Sequence, residues 1–216
     1  LKAIALARSG RLGKKLTATC SIGGGPGSNV FPTSDPPANL NWDLWLGQAP
    51  KVPYTRERCH GSFRWLLEYS GGKMTDWGAH HIDIAQWALG YENSGPSFAE
   101  GTGTFPNHPD DFDPVAFVNG EQKIPNGFNT AMKFSINLTY ENGHEMIVQD
   151  GPDNGIWLEG ELGRIFVNRG RLTGKPIEEM TDADTEWLDG EVVKLYNGQT
   201  PRNHMQHFFE CLKERK

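Results

Sequence analysis

Apolar residues recur at helical spacing in three places and alternate at strand spacing in several others. The opening segment, Leu1-Lys-Ala-Ile-Ala-Leu-Ala-Arg-Ser-Gly10, puts Leu1, Ile4 and Ala5 on one face. Arg8 and Gly10 supply a helix C-terminus. Residues 75–89 form the clearest helix, with Thr75 or Asp76 as the expected cap and Gly90 as the expected stop. Near the other end Thr200 is an expected cap with Pro201 at the first position. Met205, Phe208, Phe209 and Leu212 then make an apolar stripe. Between these helices the period changes to two. Lys15–Ile22 reads as a strand. Met132, Phe134, Ile136, Leu138 and Tyr140 alternate, Glu141-Asn-Gly143 turns the chain, and Glu145–Gln149 returns. Ile156–Glu159, Arg164–Asn168 and Glu191–Tyr196 read as further short strands.

The segment from 23 to 63 has no period. Gly23-Gly-Gly-Pro-Gly27 reads as a flexible connector, since it is neither G-x-G-x-x-G nor a P-loop and no helix pattern follows it. The prolines at 32, 36, 37, 50 and 53 keep the next stretch irregular. Trp42, Trp45 and Tyr54 mark it as a packed loop, with both tryptophans expected in a core. The order helix, strand, long loop, helix, many strands, helix predicts an α+β fold. Its open, mainly antiparallel sheet has an apolar side beneath the helices and another side free to meet a second subunit. We read 1–216 as one such domain.

Composition narrows the function. The chain has 216 residues, a net charge of −6 and an apolar share of 37%. That supports a folded core and excludes a disordered or fibrous chain. The acidic balance argues against a nucleic-acid surface. No apolar run is long enough for a membrane span. Cys20, Cys59 and Cys211 are odd in number and widely spaced, as free thiols of a reducing compartment would be, and we expect a cytoplasmic protein. Both ends read as interruptions of a longer chain.

The richest segment is Gly71–Gly90. On a helix of about 100° per residue with Asp76 at 0°, His80 falls at about 40°, Asp83 at about 340° and Trp87 at about 20°. Ile82, Ala85 and Leu89 lie opposite and would be buried. One face thus packs while the other offers carboxylate, imidazole, carboxylate and indole, which is either an acid/base constellation or a solvated polar face. A metal site is disfavoured, because His81 points about 100° away from His80 and no H-E-x-x-H exists. His204, His207 and Cys211 lack a fourth ligand and read as surface residues.

The string Gly71-Gly72, Asp76-x-Gly78-x-His80-x-x-Asp83 and Trp87-x-x-Gly90 resembles the Gfo/Idh/MocA family of NAD(P)-dependent oxidoreductases. Leu40–Pro50, Tyr54 and Phe63-Arg-Trp65 look like its dehydrogenase-like branch abundant in planctomycetes. The resemblance spans nearly the whole chain and implies the family's second domain, with the Rossmann domain absent. It implies His80 as general base and Asp76 as the carboxylate that orients substrate and histidine. It implies NAD or NADP in the intact parent, with none expected on this fragment, and a sugar, sugar acid or cyclitol substrate. It also implies a homo-oligomer built through the sheet. Lys73 stands where many members have a third glycine, and His81 where many have an apolar residue. The family's E-K-P lysine is missing, since Gly174-Lys-Pro176 lacks the glutamate. Arg64, Tyr54, Trp65, Lys73 and Asp83 are the candidate substrate contacts: tryptophan faces suit sugar C–H groups and arginine suits a carboxylate. The competing readings are a non-enzymatic sugar-binding or oligomerisation module and a metal-dependent hydrolase.

Overall fold

The computed structural model describes residues 1–215. The chain opens with α1 (Lys2–Arg8), buried from Ala3 to Ala7, and Gly10 beyond it adopts a φ of +80°. It then enters β1 (Leu16–Ser21), whose Leu16, Ala18 and Cys20 face the core. Residues 23–41 follow without regular structure and lead to α2 (Trp42–Leu46), a five-residue helix capped by the Asn41 side chain. Short 3-10 turns occupy Arg56–Arg58, His60–Trp65 and Gly72–Met74. Next come α3 (Trp77–Ala88), β2 (Phe98–Thr104) and α4 (Pro114–Val118). The hairpin β3 (Lys133–Thr139) and β4 (Glu145–Gln149) turns at Gly143, whose φ is +84°. A second hairpin, β5 (Gly155–Gly160) with β6 (Gly163–Val167), leads to β7 (Leu172–Thr173). The helices α5 (Lys175–Glu178), α6 (Asp182–Leu195) and α7 (His204–Glu214) end the described residues.

The sheet has seven strands in the order β2-β3-β4-β1-β5-β6-β7. Every neighbouring pair is antiparallel except β1 with β4. The α+β class and the open, mainly antiparallel sheet therefore agree with the sequence reading. One side of the sheet is apolar. Ala18, Cys20, Met146, Val148, Ile156 and Leu158 pack beneath α1, α3 and α6, which contribute Ile4, Ala85, Ala88, Leu188 and Val192.

Four local expectations are corrected. Residues 191–195 belong to α6 rather than to a strand: Thr181 and Asp184 form a reciprocal capping box, and Leu188 and Val192 meet the core one turn apart. The alternation over 191–196 was the chance look of a helix with two adjacent valines. The last helix starts at His204, because Asn203, not Thr200, accepts bonds from the Met205 and Gln206 amides. Its Met205, Phe208, Phe209 and Leu212 are exposed. Neither side chain expected to cap α3 does so. Asp76 occupies the cap position without a capping bond, and Thr75 Oγ1 accepts instead from the Gly71 amide at 2.8 Å. Trp42 and Trp45 are half-buried and stacked on each other, 4.8 Å apart, outside the core cluster.

The irregular segment between β1 and α3 is ordered from inside by one charge pair. Arg58 is 5% exposed and donates to Glu68 at 2.5 Å, to the Tyr69 hydroxyl at 2.9 Å and twice to Asn126 Oδ1. Glu68 takes a further bond from Asn129 at 3.0 Å. This network ties the loop to the stretch just before β3.

Candidate functional site

The chain is steered into α3 by glycines. Gly72 is buried with a φ of +64°, and a Cβ there would lie 2.7 Å from Thr130. Gly78 lies where a Cβ would come 3.3 Å from the Lys73 carbonyl and 3.4 Å from Ile22, so α3 sits close on the turn before it and on the strand end beneath. Gly72 needs a residue without a side chain, while at Gly78 a methyl would fit only tightly.

On the solvent side of α3, Asp76 is half-buried and accepts from Arg64 Nη1 at 3.1 Å. Arg64 Nε donates to the Gly61 carbonyl at 3.0 Å, which fixes the guanidinium. A carboxylate at a helix N-terminus also sits favourably in the helix dipole. One turn on, His80 is exposed, edge-on to Trp77 at 5.9 Å, and Asp83 is exposed beyond it. Among the described residues no hydrogen bond joins Asp76 to His80, so the imidazole is free to meet a bound molecule. Trp87 does not join this face. It is half-buried and packs against Tyr196, just past the end of α6, at 6.1 Å.

Trp65 stands beside the Arg64–Asp76 pair. Its ring carries the Arg64 guanidinium at 5.0 Å and the Lys73 ammonium at 5.6 Å. Arg64, Trp65, Lys73 and Asp76 are therefore brought together. Tyr54 is placed elsewhere, edge-on to Trp42 at 5.2 Å in an aromatic ladder that continues through Trp45 to Tyr69.

Sequence reasoning missed His81. It is 3% exposed, on the buried side of α3 with Ala85 and Ala88. Its position at about 140° on the helical wheel, between two buried alanines, was the available signal. Ile82, expected to be buried, is half-exposed. His81 Nε2 lies 2.5 Å from Asn154 Oδ1, which makes Nε2 the donor, and buried Nδ1 has no partner. Burial holds this histidine below its ordinary pKa, against the opposing pull of the Asn154 bond. The Cys20 thiol beneath it bonds the His81 carbonyl and is pushed up to about 12 by burial, so it is not a nucleophile. Among the described residues, no group of three or more His, Cys, Asp or Glu side chains is arranged to hold a metal ion. No described helix is long and apolar enough to cross a membrane.

The glycine-rich stretch after β1 does not fit a dinucleotide. The next helix, α2, starts only at Trp42 and has five residues, so no helix N-terminus follows Gly23–Gly27 to meet a pyrophosphate.

The family model described as oxidoreductase family, C-terminal alpha/beta domain, matches residues 24–216, and the chain belongs to that family, the Gfo/Idh/MocA oxidoreductases. No curated protein matches the chain. Among solved structures, an oxidoreductase from Thermotoga maritima is 16% identical with a TM-score of 0.42, over 92% of this chain and 49% of that one. The aldose-aldose oxidoreductase from Caulobacter crescentus, complexed with glycerol, is 15% identical with a TM-score of 0.43, over 93% and 51%. The WlbA dehydrogenase from Bordetella pertussis, in complex with NADH and UDP-GlcNAcA, is 12% identical with a TM-score of 0.43, over 93% and 51%. This chain spans about half the length of these structures.

Proposed function

We propose that this chain is the substrate-binding and catalytic-base domain of an NAD(P)-dependent oxidoreductase acting on a sugar, sugar acid or cyclitol carbinol. The observation that carries this reading is the solvent face of α3. There His80 is exposed one turn from an Asp76 carboxylate that Arg64 holds in place. Oxidising a carbinol requires a base within about 2.6–3.2 Å of the hydroxyl. Histidine side chains exchange protons near neutral pH, and a neighbouring carboxylate stabilises the imidazolium that forms. In this reading the substrate hydroxyl gives its proton to His80. Asp76 orients the ring and the substrate, and the Trp65 face with Arg64, Lys73 and Asp83 holds the rest of the molecule. A nicotinamide, when bound, accepts the hydride, and its binding domain is a separate segment of the parent protein.

The side of the sheet away from the helices, where Thr19 pairs with Ile147 and Trp157, is the proposed contact between subunits.

The test is made on the parent protein. His80→Ala and His80→Gln are assayed by NAD(P)H absorbance with aldoses, uronates and inositols. Turnover is expected to fall by about 10²–10⁴-fold with thermal unfolding unchanged. Turnover within threefold of wild type would remove His80 from the reaction.

A further inference from the structure

Two features beside α3 have no part in the reading above: the buried His81 and the turn between β6 and β7. Hydrogen bonds join them. His81 Nε2 donates to Asn154 Oδ1 at 2.5 Å, and the Asn154 carbonyl accepts from Asn168 Nδ2 at 3.4 Å. Asn168 Oδ1 in turn accepts from the Gly170 and Arg171 amides at 2.9 and 3.0 Å, and the Asn168 amide donates to the Arg171 carbonyl at 3.0 Å. The turn is thus closed on itself and tied to α3. A buried imidazole costs desolvation that an apolar side chain in its place would not. What its one hydrogen bond secures is the position of this turn against the helix.

The turn presents Arg169. Its side chain is exposed, and its guanidinium lies over the Trp77 ring of α3 at 4.8 Å. His80 meets the same ring at 5.9 Å. With one indole between them, the guanidinium and the imidazole stand no more than about 11 Å apart, a gap that two hydrogen bonds of about 2.8 Å and about four carbon–carbon bonds span. Arg64 is already paired with Asp76, whereas Arg169 has no carboxylate within 4.0 Å among the described residues. A guanidinium is always charged, and its planar fork matches the two oxygens of a carboxylate. Stacking on Trp77 holds that fork in place before anything binds, so less side-chain freedom is lost when an anion arrives.

We propose that Arg169 determines specificity by binding a carboxylate of the substrate, and that His81 is the positioning residue that holds Arg169 at the α3 face through Asn154 and Asn168. The inference rests on the substrate-domain reading above and narrows it. Among related carbinols the protein selects those whose carboxylate lies about four carbon–carbon bonds from the reacting carbon, as in a hexuronate. One such molecule presents its acid to Arg169 and its carbinol to His80, with the Trp77 ring between the two groups.

The test measures binding to the parent protein by calorimetry, independently of turnover. The probes are D-glucuronate, D-glucose as the neutral match and D-glucose 6-phosphate as the dianion. Glucuronate is expected to bind at least about tenfold more tightly than glucose, the scale of one hydrogen bond to a charged group. Arg169→Met keeps an apolar stem against Trp77 and, at an exposed position, leaves the fold intact. It is expected to abolish the preference for glucuronate. His81→Gln can still donate to Asn154 and is expected to keep the preference, whereas His81→Leu cannot and is expected to lose most of it. The readout is the ratio of the two affinities within each variant, which a general loss of folded protein does not move. Equal binding of both sugars, no binding of either, or a preference that survives Arg169→Met overturns the assignment of Arg169. Glucose 6-phosphate binding as tightly as glucuronate also overturns it, since the contact would then be a general anion site. A ratio unchanged in His81→Leu overturns the positioning role of His81. His80→Ala is expected to lose turnover and keep the ratio. Failure of the carboxylate contact and failure of the catalytic reading therefore register in different experiments.

Discussion

Replacing Arg58 by methionine tests whether one buried charge pair orders the long irregular segment. Arg58 and Glu68 have side chains only 7% and 10% exposed. The substitution keeps most of the apolar stem, removes the guanidinium, and leaves Glu68 with the Asn129 amide as its remaining hydrogen-bond donor among the described residues. Removing one member of a buried pair costs about 3–5 kcal/mol, because the other charge stays buried and uncompensated. For a chain of this size each kcal/mol moves Tm by about 2–4 °C, so the expected fall is about 6–20 °C at pH 7. The sign of the pH dependence is a second readout. An unpaired buried carboxylate has its pKa raised, and the folded state then binds more protons than the unfolded state. Stability of the variant should therefore recover as pH falls from 7 toward 5, through the raised pKa. Arg58→Met/Glu68→Leu removes both charges and should regain about half of the loss, with Asn126 and Tyr69 still short of a donor. Urea unfolding of all four proteins at pH 7 and pH 5 closes the cycle. If the two single substitutions add to within about 0.5 kcal/mol, the pair is not coupled and the reasoning fails.

Two further outcomes follow from α3 and its lead-in. His81 is held by burial below its ordinary value of 6.5. The folded state therefore binds fewer protons than the unfolded state once pH drops beneath that value. This histidine's contribution is intact above about pH 6.5 and lost as pH falls through its lowered folded pKa, at up to about 1.4 kcal/mol per pH unit. His108 and His144 are lowered by burial in the same direction. Urea titrations between pH 5 and 7 should show His81→Gln unfolding with up to one proton less uptake than wild type, and an unchanged slope would contradict the assignment. Gly72→Ala should cost at least about 2 kcal/mol in the same assay, from the positive φ and the contact with Thr130. A loss below about 0.5 kcal/mol would show that the turn relaxes freely.

The fold class was legible because strands with one buried face announce themselves. Met132 to Tyr140 and Leu16 to Cys20 alternate, and the structure buries Phe134, Ala18 and Cys20 as that alternation requires. The strand reading of Glu191–Tyr196 failed because five residues of Glu-Val-Val-Lys-Leu fit either period. What decides between them is the capping box ten residues upstream. Helical spacing placed His80 and Asp83 on the exposed face of α3, where the structure has them, while the roles of Asp76 and His80 came from the family resemblance and not from spacing. The burial of His81 went unread although its wheel position between Ala85 and Ala88 signalled it; its Asn154 partner, 73 residues later, was not legible. The Arg64–Asp76 bond depends on how the 3-10 turn His60–Trp65 approaches the start of α3, and no local pattern encodes that approach.

The position of β1 has a consequence for how the molecule assembles. Residues 16–21 are inserted between β4 and β5, which lie more than a hundred residues later in the chain. The two hairpins, β3 with β4 and β5 with β6, close through short local loops, while β1 is the strand that fuses them into one sheet. Loop-closure entropy makes such distant pairing late and slow. During synthesis β1 waits, unpaired, for β4 and β5 to emerge. Shielding residues 16–22 in that interval falls to α1 folding back on them or to a chaperone.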